Sequence, residues 1–184
     1  LASWKTYHMP VFKLSDAEAD QTVALMQGKG EACARHVQEL ADCARKHAIP
    51  LASHDDDSPA KIAAMAALGV SISEFPLNVE SSHHARQQSM ATCMGAPNVV
   101  RGGSHSGNIS AHFLAQLGLL DILSSDYYPS SLLQAAFMLT QEHIGYSLPQ
   151  AIRTVSKNPA ESVHLHDRGE IAIGKIADLV QVKH

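Results

Sequence analysis

A histidine followed by three aspartates, His54-Asp55-Asp56-Asp57, stands where the apolar run Ile49-Pro50-Leu51-Ala52-Ser53 gives way to Ser58-Pro59 and a helical pattern. Imidazole and carboxylate are both donors to a divalent cation, and catalytic zinc takes three protein donors plus a water whose pKa falls to about 7. Aspartates in this place can instead cap a helix and complement its dipole. The pattern assigns His54 to the first role and Asp56, Asp57 or Ser58 to the second, with Asp55 either a ligand or a support for one. Asp126 follows the stretch Asp121-Ile-Leu-Ser-Ser125. A carboxylate at the end of a buried strand is costly without a partner, which a cation, or duty as base toward a bound water, would supply. The intervening Tyr127-Tyr128-Pro129 makes it a poor cap for a helix at Ser130. Glu74 closes another short apolar stretch, and ligation, proton relay and a salt bridge to Arg101 or another base all remain open for it.

The segment APNVVRGGSHSGN, residues 96–108, carries a different chemistry. Gly102, Gly103 and Gly107 let the backbone approach a ligand, Ser104 and Ser106 add hydroxyls, and Arg101 and His105 add cationic or donor groups. A helix is expected to begin at Asn108, and these are the parts of an anion site. The segment is not a Walker loop, lacking Gly-Lys-Ser/Thr, nor a nucleophile elbow, because histidine sits at the centre of Gly103-Ser-His-Ser-Gly107. An ordinary glycine turn is the competing reading. His83 and His84, adjacent on a helix, cannot aim both rings at one site and are expected at the surface.

The elements that must position these groups alternate. From Ser15 to Ile49 the spacing is helical, opened by a Ser15/Glu18 capping box and broken at Gly28 and Gly30. Strands are then expected at 49–53, 70–75, 91–96 and 121–126. Helices follow from Ser58-Pro59 to Gly69 and over 78–90, 108–118 and 130–145, with a glycine-rich turn over 97–107. Two more helices are expected around Pro149–Ser156 and Pro159–His164, then a tail, DRGEIAIGKIADLVQVKH, whose rhythm is β-prone. Strand-helix units in series mean a parallel α/β architecture. An open doubly wound sheet and a barrel both fit, and both place function in the loops after the strand C-termini. On either, His54, Glu74, the 97–107 loop and Asp126 come to one rim. The expected division is a helical segment over 1–48, the β/α units over 49–164 and a β-rich tail over 165–184.

The whole composition excludes several classes. With 184 residues, 14 Lys and Arg against 18 Asp and Glu and a net charge of −4, the chain has no electrostatic footprint for nucleic acid. Three cysteines without a Cys-x-x-Cys spacing suggest neither a disulfide framework nor a cysteine-zinc module, and fit a reducing cytoplasm. No apolar stretch approaches the roughly 18 residues of a membrane span.

The stretches PLASHDDD (50–57), MGAPNVVRGGSHSGN (94–108), GLLDILSSDYYPSSLL (118–133) and DRGEIAIGKIADLV (167–180) resemble the amidohydrolase superfamily, in particular its branch in phosphonate metabolism. The resemblance implies the C-terminal half of a TIM-like (β/α)8 metal-dependent hydrolase barrel, the tail being a strand returning to a small β-sandwich. A full barrel takes about 250 residues, so the chain is expected to be a C-terminal fragment. The family's His-x-His has no counterpart before His54, His164-Leu165-His166 is misplaced for it, and Glu74 stands where many members have histidine. The implied activity is cleavage of ribose 1-methylphosphonate 5-triphosphate to the 5-phosphate and pyrophosphate. His54 and Asp126 would be ligands of a divalent metal, expected to be zinc, and Asp126 also the catalytic base. Arg101, Gly102, Gly103, Ser104 and His105 would bind phosphate, with Asp55 and Glu74 in support. Two alternatives are an amidohydrolase acting on a cyclic amide or nucleobase, and an inactive half-barrel that self-associates. The expected partners are a small phosphorylated substrate and a second copy of the chain.

Overall fold

The computed structural model describes residues 2–103 and 108–183. The chain forms two compact units, residues 1–43 and 44–184. In the first, α1 (Ala2–Phe12) and α2 (Asp16–Gly28) precede α3 (Gly30–Lys46), whose last turn belongs to the second unit. The capping box is present: Glu18 N–H donates to Ser15 Oγ at 3.4 Å while Ser15 N–H donates to Glu18 Oε2 at 2.9 Å. These reciprocal bonds satisfy donors that a helix start would otherwise leave orphaned.

The second unit alternates strand and helix: β1 (Ala52–His54), α4 (Pro59–Ala67), β2 (Ile72–Glu74), α5 (Val79–Gln87), β3 (Ala91–Gly95), α6 (Ala96–Arg101), α7 (Ala111–Gln116), β4 (Ile122–Ser124), α8 (Ser131–Met138), α9 (Leu148–Arg153) and α10 (Lys157–Ser162). The four strands are parallel and lie in chain order, β1-β2-β3-β4. Nothing in that order reverses, so these strands contain no switch point of the doubly wound kind. Right-handed crossovers then put every connecting helix on one face of the sheet. Met94 and Leu123, register partners, face that side and join Val99, Leu114 and Leu139 in the main core, while Ile62, Ala85 and Met90 form a second cluster. Leu114 and Leu139 are fully buried, each stabilising the fold by roughly 1.5–3 kcal/mol relative to an exposed leucine. Register sets His54, Glu74 and Cys93 side by side on the opposite face.

Four local expectations need correction. The first strand begins at Ala52 rather than Ile49, because Pro50 has no N–H to give a ladder. The first half of the supposed 97–107 turn is helical, as α6: Pro97 is pre-set for a first helical turn, and six residues are too few for a periodic signal. The following helix starts not at Asn108 but at Ala111, where Ser110 accepts from Phe113 N–H at 3.2 Å. The helix expected to run to Gly145 ends at Met138 and passes into turns.

The tail contains no strand among its described residues. Ile171, Ile173 and Val180 are 89%, 106% and 83% exposed, and the alternation that suggested a strand meets no partner strand among the described residues, while a strand exists only as part of a ladder. The segment is tied down near its start instead. Gly169, at φ +88°, lies so close to Lys157 Cα that an added Cβ would sit 2.9 Å from it. Glu170 bridges Lys157 at 2.6 Å and Lys175 at 2.7 Å. Among the described residues no helix is long and apolar enough to cross a membrane.

Candidate active site

Each strand hands its polar residues to the same end of the sheet. His54 is the last residue of β1, and Asp55 turns the chain away at φ +55°. Phe75 does the same after β2 at φ +53°, and Asp126 after β4 at φ +50°. Aspartate tolerates the left-handed region; a phenylalanine there is strained and persists only where its surroundings hold it. The turns are laced together. Asp55 N–H donates to Glu74 O at 2.9 Å, Leu77 N–H to Asp56 O at 2.9 Å, Phe75 N–H to Cys93 O at 2.9 Å and Asn78 Nδ2 to Asp57 O at 2.8 Å. Across the next junction, Ile109 N–H reaches Leu77 O at 3.2 Å and Ala111 N–H reaches Asn98 Oδ1 at 2.9 Å.

These turns enclose a cleft of about 250 Å³ lined by His54, Asp55, Phe75, Arg101, Asp126 and Tyr127, among others. His54 Nδ1 lies 3.1 Å from Asp55 Oδ2, and the imidazole meets the Phe75 ring at 5.2 Å between centroids, tilted by 55°. The Arg101 guanidinium stands 5.9 Å from the Tyr127 ring centroid, within cation–π range. Gly95 forms the floor between Phe75 and Asp126: a Cβ there would lie 3.1 Å from Phe75 Cε1 and 3.2 Å from Asp126 Oδ2. The cleft thus gathers a cation, two carboxylates and an imidazole at the C-terminal ends of parallel strands, the position at which such sheets do chemistry. A larger hollow of about 610 Å³ lies at the other end of the strands, where Arg86 and Asp121 pair at 2.9 Å. There the ion pair and the Asn158 Nδ2 bond to Asp121 O are already satisfied.

His54, Asp55, Arg101 and Asp126 are therefore brought together, while Ser104 and His105 fall outside the described residues. Gly102 and Gly103 end α6. Gly102 adopts φ +79°, and its N–H and that of Gly103 donate back to Val99 O and Asn98 O at 3.1 Å. Glu74 has no ion pair among the described residues, with Arg101 or with any other base. Asp126 is exposed rather than buried, so the desolvation cost argued for it does not arise; its place in the cleft is set by the turn after β4. Of the capping candidates Ser58 holds the position and the aspartates do not. Ser58 caps α4, accepting from Lys61 N–H at 3.4 Å, and Asp56 is fully buried between β1 and β2. His83 is exposed, as its position on α5 suggested.

Phe75, Gly95 and Tyr127 were not singled out as site residues; Phe75 and Gly95 carry no ionisable group, and Tyr127 entered the sequence reading only as part of the segment after Asp126. A signal existed only for Gly95, a glycine at a strand end just before Ala96-Pro97. Below the floor, burial pushes the Cys93 thiol up to about 12, helped by the neighbouring Glu74 charge, which disfavours the nucleophilic thiolate.

Does the site fit a metal? A catalytic cation takes three protein donors or more. Among the described residues no three His, Cys, Asp or Glu side chains converge. His54 and Asp126 share the cleft but do not complete a donor set among the described residues.

Residues 14–182 match the amidohydrolase family, and the chain belongs to it. Members of this superfamily are hydrolases that typically use a divalent metal. One relative is the alpha-D-ribose 1-methylphosphonate 5-triphosphate diphosphatase of Escherichia coli (strain K12), 46% identical over 179 residues that cover 96% of this chain and 47% of that protein. The chain thus spans about half the length of the relative it matches.

Proposed function

We propose that the intact protein is a metal-dependent hydrolase of phosphonate catabolism that cleaves ribose 1-methylphosphonate 5-triphosphate to the 5-phosphate and pyrophosphate, in the cytoplasm. The observation that carries this reading is the shared cleft of His54, Asp55, Arg101 and Asp126, together with the diphosphatase relative at 46% identity. The four parallel strands in chain order support a wall of a (β/α)8 barrel. In a whole barrel the remaining metal donors would come from strands beyond these four, with His54 and Asp126 contributing two.

Hydrolysis of a phosphoanhydride needs little covalent help from a protein; it needs positioning and relief of charge on the phosphoryl oxygens. Arg101, held against Tyr127, presents its guanidinium to an oxygen of the triphosphate. Gly102 and Gly103 leave room for that oxygen to approach the backbone. Asp126 takes a proton from the attacking water as its oxygen bonds to phosphorus and the bridging oxygen departs with pyrophosphate. His54, with Nδ1 3.1 Å from Asp55 Oδ2, holds its imidazole toward the same space.

The test is product analysis with the full-length protein. Incubation with the ribose triphosphate should release pyrophosphate, and incubation with cyclic ureides or nucleobases should release no ammonia or ring-opened acid. Ring opening without pyrophosphate would replace this reading with that of an amide-cleaving amidohydrolase.

A further inference from the structure

Among the described residues Asp56 is the only charged side chain that is fully buried, at 0% exposure. Burying a carboxylate is costly, and an apolar residue of similar volume would often hold two strands together at least as well. What this carboxylate does is local. Ser53 Oγ and Ser73 Oγ both donate to Asp56 Oδ2 at 2.5 Å. These serines are register partners, each directly preceding the last residue of its strand, His54 in β1 and Glu74 in β2. Asp56 Oδ1 accepts no hydrogen bond; it faces the Lys61 ammonium at 3.4 Å, close enough for charge neutralisation but not for a bond. That ammonium spends its donors on the carbonyls of His54, at 2.7 Å, and Asp55, at 2.9 Å.

One carboxylate therefore ties both strand ends, and its counterion grips the two peptide groups that aim His54 and Asp55. We propose that Asp56, acting through Ser53, Ser73 and Lys61, is a positioning residue of the cleft: it fixes the backbone of His54 and Asp55, and hence the direction of the imidazole, without touching substrate. The clamp lies on the helix-facing side of the sheet and the cleft on its rim, so the effect is transmitted through the backbone turn. The inference rests on the cleft being the active site only for its consequence in catalysis; the geometric claim stands apart from it.

The experiment compares the full-length protein with Asp56→Asn, which keeps volume and an acceptor for both serines but removes the charge that holds Lys61. Three quantities are read: kcat and KM for pyrophosphate release, the melting temperature, and the ¹⁵N and ¹³C shifts of the His54 imidazole at fixed pH. The expected result is a kcat at least tenfold lower with KM within twofold, and a displaced or broadened His54 signal. A lowered melting temperature with unchanged kcat per folded molecule and an unchanged His54 signal would assign Asp56 to stability alone and overturn the proposal. Should Asp56→Asn not fold, Ser73→Ala removes one donor and leaves the carboxylate with Ser53 and Lys61; it is expected to shift the same His54 signal, and no shift overturns the proposal equally. His54→Asn separates the two readings. If that variant keeps full activity, the assignment of the active site fails, while the imidazole shifts of Asp56→Asn still decide the positioning claim.

Discussion

Gly95→Ala separates the demands of the fold from those of the cleft. Gly95 has φ −73° and ψ 130°, a conformation any residue adopts. Alanine therefore brings no backbone strain, and by restricting the unfolded chain it should favour the folded state by about 0.4–1 kcal/mol. Against this stands one steric conflict. The new Cβ would lie 3.1 Å from Phe75 Cε1, 3.4 Å from Phe75 Cζ and 3.2 Å from Asp126 Oδ2, whereas carbon contacts relax at about 3.5–4.0 Å. Relief requires Phe75 or Asp126 to move by roughly half an ångström, at a cost of about 1–3 kcal/mol if the rim resists. The steric cost matches or exceeds the gain, so the variant should be less stable by about 0–2.6 kcal/mol.

Activity should respond more strongly. A misplacement of about 1 Å can cost 10²-fold, so about half that displacement of Asp126 or of the ring that meets His54 should lower kcat/KM about tenfold. The measurements are urea denaturation and steady-state pyrophosphate release on the full-length protein, with a crystal structure of the variant. Unaltered kcat/KM alongside a displaced Asp126 would refute a catalytic role for that carboxylate. Unaltered positions of both Phe75 and Asp126 would refute the packing argument.

Two further outcomes follow from groups outside the cleft. The Cys93 thiol, pushed up to about 12 by burial and then by the Glu74 charge, should resist iodoacetamide in the native protein while exposed Cys33 and Cys43 are alkylated; mass spectrometry showing native modification of Cys93 would contradict its burial. His112 is shifted down, first by burial and then by His143, whose ring stacks on it at 6.3 Å. A histidine depressed on folding adds stability above its unfolded value, near 6.5, that is lost as pH falls through the lower folded value. Denaturation midpoints should therefore drop below about pH 6.5, and His112→Asn should reduce that drop; an equal drop in the variant would place the titration elsewhere.

What the sequence disclosed about this site and what it hid have different physical origins. The order of elements was legible because α2, α4 and α5 carry their own start signals in Ser15 with Glu18, Ser58 with Pro59, and Asn78, and because these bonds are local in the chain. The convergence of His54, Arg101 and Asp126 was legible for a topological reason: consecutive parallel strands leave their C-termini at one edge, whatever lies between. Asp56 shows where such reasoning stops. Four residues in a row, His54 to Asp57, share the chemistry of the ligand or the cap, and type alone cannot say which turns inward. That choice is made by Ser53 and Ser73, partners 20 residues apart in chain position by strand register, and by Lys61, whose reach depends on the first turn of α4. Phe75 was hidden more deeply, since only the left-handed backbone at φ +53° brings its ring to His54, and no phenylalanine announces that conformation. The side chains proposed to do chemistry at this rim are thus the ones a sequence displays, whereas the groups proposed to aim them are defined by long-range pairing, and it is there that substitution will most sharply distinguish folding from function.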